Sequence, residues 1–370
     1  MIKIEEIRYY QIRLPLKYVF ETSFGKFKYT SSIIVRFKYR DYVGYGEIPV
    51  EEGPWYSYED VETALHVSRN FLSKAILNRE YSSVDEFNKD LNVIRGHNIA
   101  KTGHEMAFLD LMAKVVNKPL YKMLGGVRNV VSSGVSVGVI GDLNELFRQI
   151  SIFLDFKYQR IKIKIKPGWD LDVLDAIRRE YGDIPLQVDA NASYDYNLHR
   201  NVLRRFDEFN LLMIEQPLHY DDLYFHSLLQ RQINTPICLD ESIKSFYDVL
   251  AALKLNSCRV INVKPARVGG ISITKMINDY TERHRIPIWI GGLLETGIGK
   301  AHLIATATLS NVKYPSDISG SSRYFEEDII DPPWTVENGY IKLRDEAGIG
   351  VEVLEDKIKK YLVREFILKS

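Results

Sequence analysis

Five ionisable residues recur at nearly equal intervals through the middle of the chain: Lys164, Asp189, Glu215, Asp240 and Lys264, separated by 25, 26, 25 and 24 residues. Each falls at the end of a short apolar run, in RIKIKIK, PLQVDAN, LLMIEQP, PICLDES and RVINVKP. A further 27 residues reach Gly291, at the end of PIWIGG, and 26 more reach Asp317. One acid at the end of a strand is ordinarily a helix N-cap or half of a structural ion pair. Three acids on successive strand ends would face one cavity and repel one another unless a cation lay between them. An all-oxygen set with no neighbouring Cys or His favours a hard divalent ion, Mg²⁺ or Mn²⁺.

The lysines extend the argument. In Arg160-Ile161-Lys162-Ile163-Lys164-Ile165-Lys166 the side chains alternate between two faces, so the lysines share one and the isoleucines the other. Solvated lysines on an edge strand would explain this pattern in isolation. In a strand flanked by helices the isoleucines must pack outward, and the lysines then point inward, where they need counter-charges. Lys264 arrives four strands later, on the far side of a ring. An amine on each flank of a carboxylate substrate held by a metal is equipment for removing the α-proton, with the ion stabilising the resulting ene-diolate.

The elements that must place these residues follow from the same texture. From about residue 132 the apolar runs GVSVGV, RIKIKIK, PLQVDAN, LLMIEQP, PICLDES, RVINVKP and PIWIGG alternate with helical patterns. Such alternation means parallel strands with helical crossovers, and its length predicts an α/β barrel whose strand C-termini carry the site. The first 125 residues read differently. Ile2–Leu14, Ser31–Tyr39 and Tyr42–Pro49 predict an antiparallel sheet with a tight turn at Arg40–Asp41. Helical patterns follow at Ser57–Asn78, Ser83–Val93 and Ala100–Val116. Tyr18–Lys28, aromatic and Gly-containing, reads as a mobile loop between strands. Trp55 and Tyr56, after Pro54, read as surface of this unit. The expected division is 1–125, an α+β capping domain; 126–320, the barrel; and 321–370, a segment returning to the cap.

The bulk composition limits the alternatives. Lys plus Arg equals Asp plus Glu at 49 each, so no global field draws in nucleic acid or an acidic membrane surface. No apolar run is long enough to span a bilayer, and the amino-terminal residues lack the pattern of a secretory signal. Cys238 and Cys258 sit in apolar runs without metal or redox spacing and read as reduced core residues of a cytoplasmic protein.

Together the segments PLKYVFETSFG, SSGVSVGV, RIKIKIKPGWD, VDANASY, MIEQPL, LDESI, INVKPARVGG, GGLLETGIGKAH and PSDISGSSRYF resemble the muconate-cycloisomerase-like branch of the enolase superfamily. Lysine bases working beside Mg²⁺ are the known chemistry of that superfamily. The resemblance is strongest to the o-succinylbenzoate synthase / N-succinylamino acid racemase family and covers nearly the whole chain. It implies a modified (β/α)7β TIM-type barrel under an α+β capping domain. It implies catalytic acid/base roles for Lys164 and Lys264, and Mg²⁺ ligation by Asp189, Glu215 and Asp240, with Glu241 close by. It implies substrate contacts from Lys162, Ser136, Asn191, Phe20, Arg267, Gly292 and Leu293. The implied reaction is dehydration of 2-succinyl-6-hydroxy-2,4-cyclohexadiene-1-carboxylate to o-succinylbenzoate, with racemisation of N-succinylamino acids in the same site. The partner is then a small-molecule carboxylate, and relatives of this kind are usually homo-oligomers. Lys166 stands where many relatives carry another residue, and His104 and His302 lie in helical patterns that read as structural.

Other functions remain open at this level. Dipeptide epimerases and cycloisomerases share both lysines. Sugar-acid dehydratases of the superfamily carry a histidine at the end of the seventh strand, which WIGGLLETG lacks. A Schiff-base lyase would use a lysine on a carbonyl without metal. A barrel that only binds a carboxylate would need no base.

Overall fold

The computed structural model describes residues 1–22, 25–138 and 141–369, with the side chains of 19–27 outside that description. The cap is built on three antiparallel strands, β1 (Glu6–Thr22), β2 (Gly25–Tyr39) and β3 (Tyr42–Ile48). Tyr39 and Tyr42 pair across the two-residue turn, where Arg40 takes φ 54°. Alternation decides the two faces. Ile7, Tyr9, Ile33, Val35 and Phe37 pack with the cap helices, while Tyr10, Ile12, Leu14 and Ile34 join the core that continues into the barrel. With both faces buried, the sheet fixes the cap on the barrel. Tyr18–Lys28, expected as a loop, instead extends both strands: Phe20 pairs with Phe27 and Thr22 with Gly25.

Helix α1 (Asn98–Val115) lies against β3 so closely that a Cβ on Gly46 would stand 2.1 Å from the Gly103 carbonyl oxygen. Only glycine permits that approach. The helix expected from Ser57 begins at Val61, where Asp60 and Thr63 form a capping box. The irregular stretch that precedes it is therefore free to reach the barrel mouth.

Seven parallel strands follow in chain order: β4 (Gly134–Val137), β5 (Arg160–Lys164), β6 (Leu186–Asp189), β7 (Ile214–Glu215), β8 (Ile237–Leu239), β9 (Val260–Val263) and β10 (Ile288–Ile290). Residues 312–317 complete the ring. The Lys313 and Asp317 amides donate to the carbonyls of Ile288 and Ile290, both at 3.0 Å, and the Gly134 amide donates to Ser316 at 2.8 Å. This is the barrel that the alternation of strands and helices predicted, in the (β/α)7β form with an antiparallel cap sheet that the resemblance implied. Strand β11 (Leu362–Lys369) returns to pair with β1. Among the described residues no helix is long and apolar enough to cross a membrane. Cys238 and Cys258 are buried and unpaired as disulfides.

His104, His226 and His302 are buried and hydrogen-bonded to the Tyr9 hydroxyl, the Asp222 carbonyl and the Tyr45 carbonyl respectively. Burial pushes each imidazole down to about 4 from 6.5. Below pH 6.5 the unfolded chain takes up protons that the fold refuses, so stability falls as pH drops toward 4. The expected slope is about 1.4 kcal/mol per pH unit for each histidine. Urea midpoints at pH 7 and pH 4.5 measure it, and equal midpoints would contradict the buried neutral histidines.

Candidate active site

Parallel pairing sets strand ends side by side, and the register does the rest. Lys162 is opposite Gln187, Lys164 is opposite Asp189, and Asp189 is opposite Glu215. Lys264 follows the last residue of β9 and caps the short helix Pro265–Val268, whose proline ends the strand. A single cavity is lined by Ser136, Lys162, Lys164, Asp189, Asn191, Asp240, Lys264, Gly292 and Leu293 among others. The two lysines named as acid/base groups therefore face the same space. Glu215 and Arg267 lie behind that wall, outside the cavity lining.

Amines and acids interlock. The Lys164 amine donates to Asp189 Oδ2 and Asn191 Oδ1, both at 2.6 Å. Lys264 donates to Asp240 Oδ2 at 3.0 Å and to the Tyr56 hydroxyl at 3.1 Å. Lys162 is buried below them, 2.8 Å from Glu215, 2.6 Å from Asp317 and 3.5 Å from Asp189. Burial works against its charge, but Asp317, Glu215 and Asp189 outweigh it and hold the ammonium well above its ordinary range. Burial likewise opposes ionisation of Asp240, yet Arg267, Lys264 and Lys162 keep that carboxyl below the usual range. Glu215 goes the other way: burial first, then Asp189, pushes it up to about 7. Burial and the charges of Asp240 and Asp189 push Glu241 to about 8.

Asp189, Glu215 and Asp240 do not stand as a bare three-acid cluster. Among the described residues no three His, Cys, Asp or Glu side chains are placed to hold an ion together. Glu215 accepts from Lys162, Gln187 and Asn262, and Asp240 from Lys264 and Arg267. The surroundings still fit a divalent cation. Neighbouring acids help push Glu215 and Glu241 up, all donors are hard oxygens, and among the described residues Glu241 Oε2 is buried without a hydrogen-bond partner.

Other expected contacts divide. Ser136 donates to Asp317 Oδ2 at 3.2 Å. Asn191 bridges Lys164 and Glu241. The Leu293 amide at the cavity wall donates to Glu295 Oε2 at 2.8 Å. Arg267, expected to contact substrate, is occupied with Asp240, the Tyr56 hydroxyl and the carbonyls of Ile243 and Asn262. The side chain of Phe20, expected to contact substrate, and residues 23 and 24 lie outside what the structure describes. Lys166 does not share the inward face of Lys162: β5 ends at Lys164, and Lys166 is exposed beside Trp169.

The sequence reading missed several site residues. Tyr56, assigned there to the cap surface, lies in the cavity wall and touches both Lys264 and Arg267, whereas Trp55 is exposed. No periodic signal marks Tyr56, because it sits in an irregular segment. Asp317 was reached by the strand interval but given no role, and it pairs with Lys162 and with Arg160. Arg160 fills the space that Gly134 leaves, where a Cβ would stand 2.4 Å from the guanidinium. Glu295 and Lys300 also line the cavity.

Comparisons with known proteins bear on the same residues. Residues 5–125 match the family described as mandelate racemase / muconate lactonizing enzyme, N-terminal domain, and residues 146–357 match enolase C-terminal domain-like proteins. The chain is 43% identical to an o-succinylbenzoate synthase of Geobacillus stearothermophilus, over 97% of this chain and 96% of that protein. It is 40% identical to an N-succinylamino acid racemase of Thermus thermophilus, covering 95% of each. Its fold superposes with a TM-score of 0.95 on a crystal structure of an enolase superfamily member from Listeria innocua, 34% identical, with all of both chains covered.

Proposed function

The chain belongs to the mandelate racemase / muconate lactonizing enzyme family of the enolase superfamily, and on that footing we propose that it is an o-succinylbenzoate synthase that also racemises N-succinylamino acids. The observation that carries the proton-abstraction chemistry is the placement of Lys164 and Lys264 on one cavity, each hydrogen-bonded to a different acid of the strand-end series, and the 40–43% identity to o-succinylbenzoate synthase and N-succinylamino acid racemase supports the choice of substrates over the other enzymes that share both lysines.

In the dehydration, Lys164 takes the proton from the carbon next to the substrate carboxylate, and the electron pair moves into that carboxylate as an ene-diolate. Collapse of the ene-diolate expels hydroxide from the neighbouring carbon. Lys164 returns its proton to the hydroxide, and water leaves with no net gain or loss of protons. Across the cavity, the Lys264 ammonium faces the developing negative charge. In racemisation the same abstraction occurs, and the Lys264 ammonium on the opposite face delivers a proton of its own to the carbon, leaving Lys164 protonated and Lys264 neutral until solvent resets them. Lys162, locked by Glu215 and Asp317, presents fixed positive charge beneath the substrate carboxylate. Asp189, Glu215 and Asp240 would hold Mg²⁺, with Mn²⁺ the other hard candidate, and the bound ion supplies positive charge toward the same carboxylate.

The test is kcat/KM for both substrates with and without metal. Chelation is expected to lower both by at least about a hundredfold, with Mg²⁺ restoring them. Full activity in EDTA together with borohydride trapping of substrate would replace this reading with Schiff-base chemistry. Absence of solvent-deuterium exchange at the α-carbon on either substrate would leave a carboxylate-binding barrel.

A further inference from the structure

Helix α2 (Gly297–Thr306), after β10, carries Lys300 at its first turn. The side chain is 4% exposed and forms part of the cavity lining, yet among the described residues its ammonium has no hydrogen-bond partner. The acids around it are engaged elsewhere. Glu47 accepts from Ser32, Thr296 and the Gly299 amide. Asp328 accepts from the Gly297 amide and from Ser321. Glu295 accepts from the Leu293 amide. What Lys300 does touch is aromatic: its nitrogen lies 5.4 Å from the Tyr324 ring centre and 5.0 Å from that of Phe325. Such contacts return little beside what a buried cation without an acceptor loses. A lysine with only a packing role would be replaceable by an apolar residue with gain, so its charge calls for a partner that arrives with the ligand.

The ligand's chemistry follows from the rest of the cavity. The reacting carboxylate is drawn to the Lys162–Lys164–Lys264 network, to which Lys300 makes no hydrogen bond or ion pair. Resting on the function proposed above for that first carboxylate, we propose that Lys300 is a second carboxylate-binding point in the same cavity, recognising the terminal acid of a succinyl chain and so selecting dicarboxylates. In this role it contacts substrate away from the bonds that change, and sets specificity rather than rate of proton transfer.

The comparison that tests it pairs N-succinylglycine with N-butyrylglycine, which lacks the terminal acid. Calorimetric binding to wild type, Lys300→Met and Lys300→Arg is measured beside α-deuterium exchange in D₂O. Wild type is expected to bind the succinyl compound about ten- to a hundredfold more tightly than the butyryl compound, the range of a charge-assisted hydrogen bond. Lys300→Met should erase that preference while leaving N-butyrylglycine binding within about threefold, and Lys300→Arg should keep most of it. The thermal midpoint of Lys300→Met should equal or exceed that of wild type, since burial costs the ammonium more than the charges of Asp328, Glu295 and Glu47 return to it. Equal binding of both compounds by wild type overturns the inference. So does a Lys300→Met enzyme that loses both affinities alike or is less stable. Selective binding without α-exchange would uphold Lys300 as the carboxylate point while refuting the proposed reaction.

Discussion

Lys164→Ala is expected to fold normally and to lose turnover on both substrates by about 10⁴-fold, the upper end of what a positioned proton-transfer group contributes. The structural loss is small because Asp189 keeps other partners. Its Oδ1 still accepts from the Asn191 amide at 3.0 Å, and Lys162 remains 3.5 Å from Oδ2. The urea midpoint should therefore move little, and Mg²⁺ binding should persist. Both dehydration and racemisation should fail, because each needs the α-proton removed or returned on the Lys164 face. Single-turnover assays with o-succinylbenzoate detection, and polarimetry for racemisation, read the two losses separately. Retained turnover in either would remove Lys164 from its role as base.

A second large effect falls on stability. Lys162→Met removes the one ammonium shared by Asp317, Glu215 and Asp189, buried at the bottom of the cavity. Gln187 and Asn262 can still donate to Glu215, and Arg160 to Asp317, but the charge balance is lost. Leaving a buried acid without its counter-ion destabilises by about 3–5 kcal/mol. The loss should be greatest at pH 8, where Glu215, pushed up to about 7, is mostly ionised, and should shrink as pH falls through 7 and that carboxyl takes up a proton. Denaturant titrations in EDTA at pH 6 and pH 8 measure both the size and the sign. Unchanged midpoints would mean that the buried network does not hold the barrel floor together.

Arg267 and Tyr56 show why part of the site escaped a reading by spacing. The guanidinium of Arg267 and the amine of Lys264 both grip Asp240, and both touch the Tyr56 hydroxyl, which comes from more than 200 residues earlier in the chain. Arg267 occupies a position that the resemblance marked for substrate contact, and helix Pro265–Val268 turns it behind the cavity wall onto Asp240. Lys166 leaves the inward face, and is solvated, for a simpler reason. Two-residue alternation holds only while the backbone is extended, and Pro167–Gly168 ends the strand.

What the amino-acid order determined by itself is the barrel and the ring of charges at its mouth. One strand, one helix and their turns occupy about 25 residues, and parallel pairing lays successive strand ends beside one another, so Lys164, Asp189, Glu215, Asp240 and Lys264 had to meet. Alternation along RIKIKIK fixed which of its side chains look inward. Tertiary structure alone decided how those charges pair, that a tyrosine from the cap closes over Lys264, and that Lys300 is left in the cavity wall without an acceptor among the described residues. These depend on contacts between segments far apart in the chain and on which water is excluded where they meet, and neither leaves a period in the sequence.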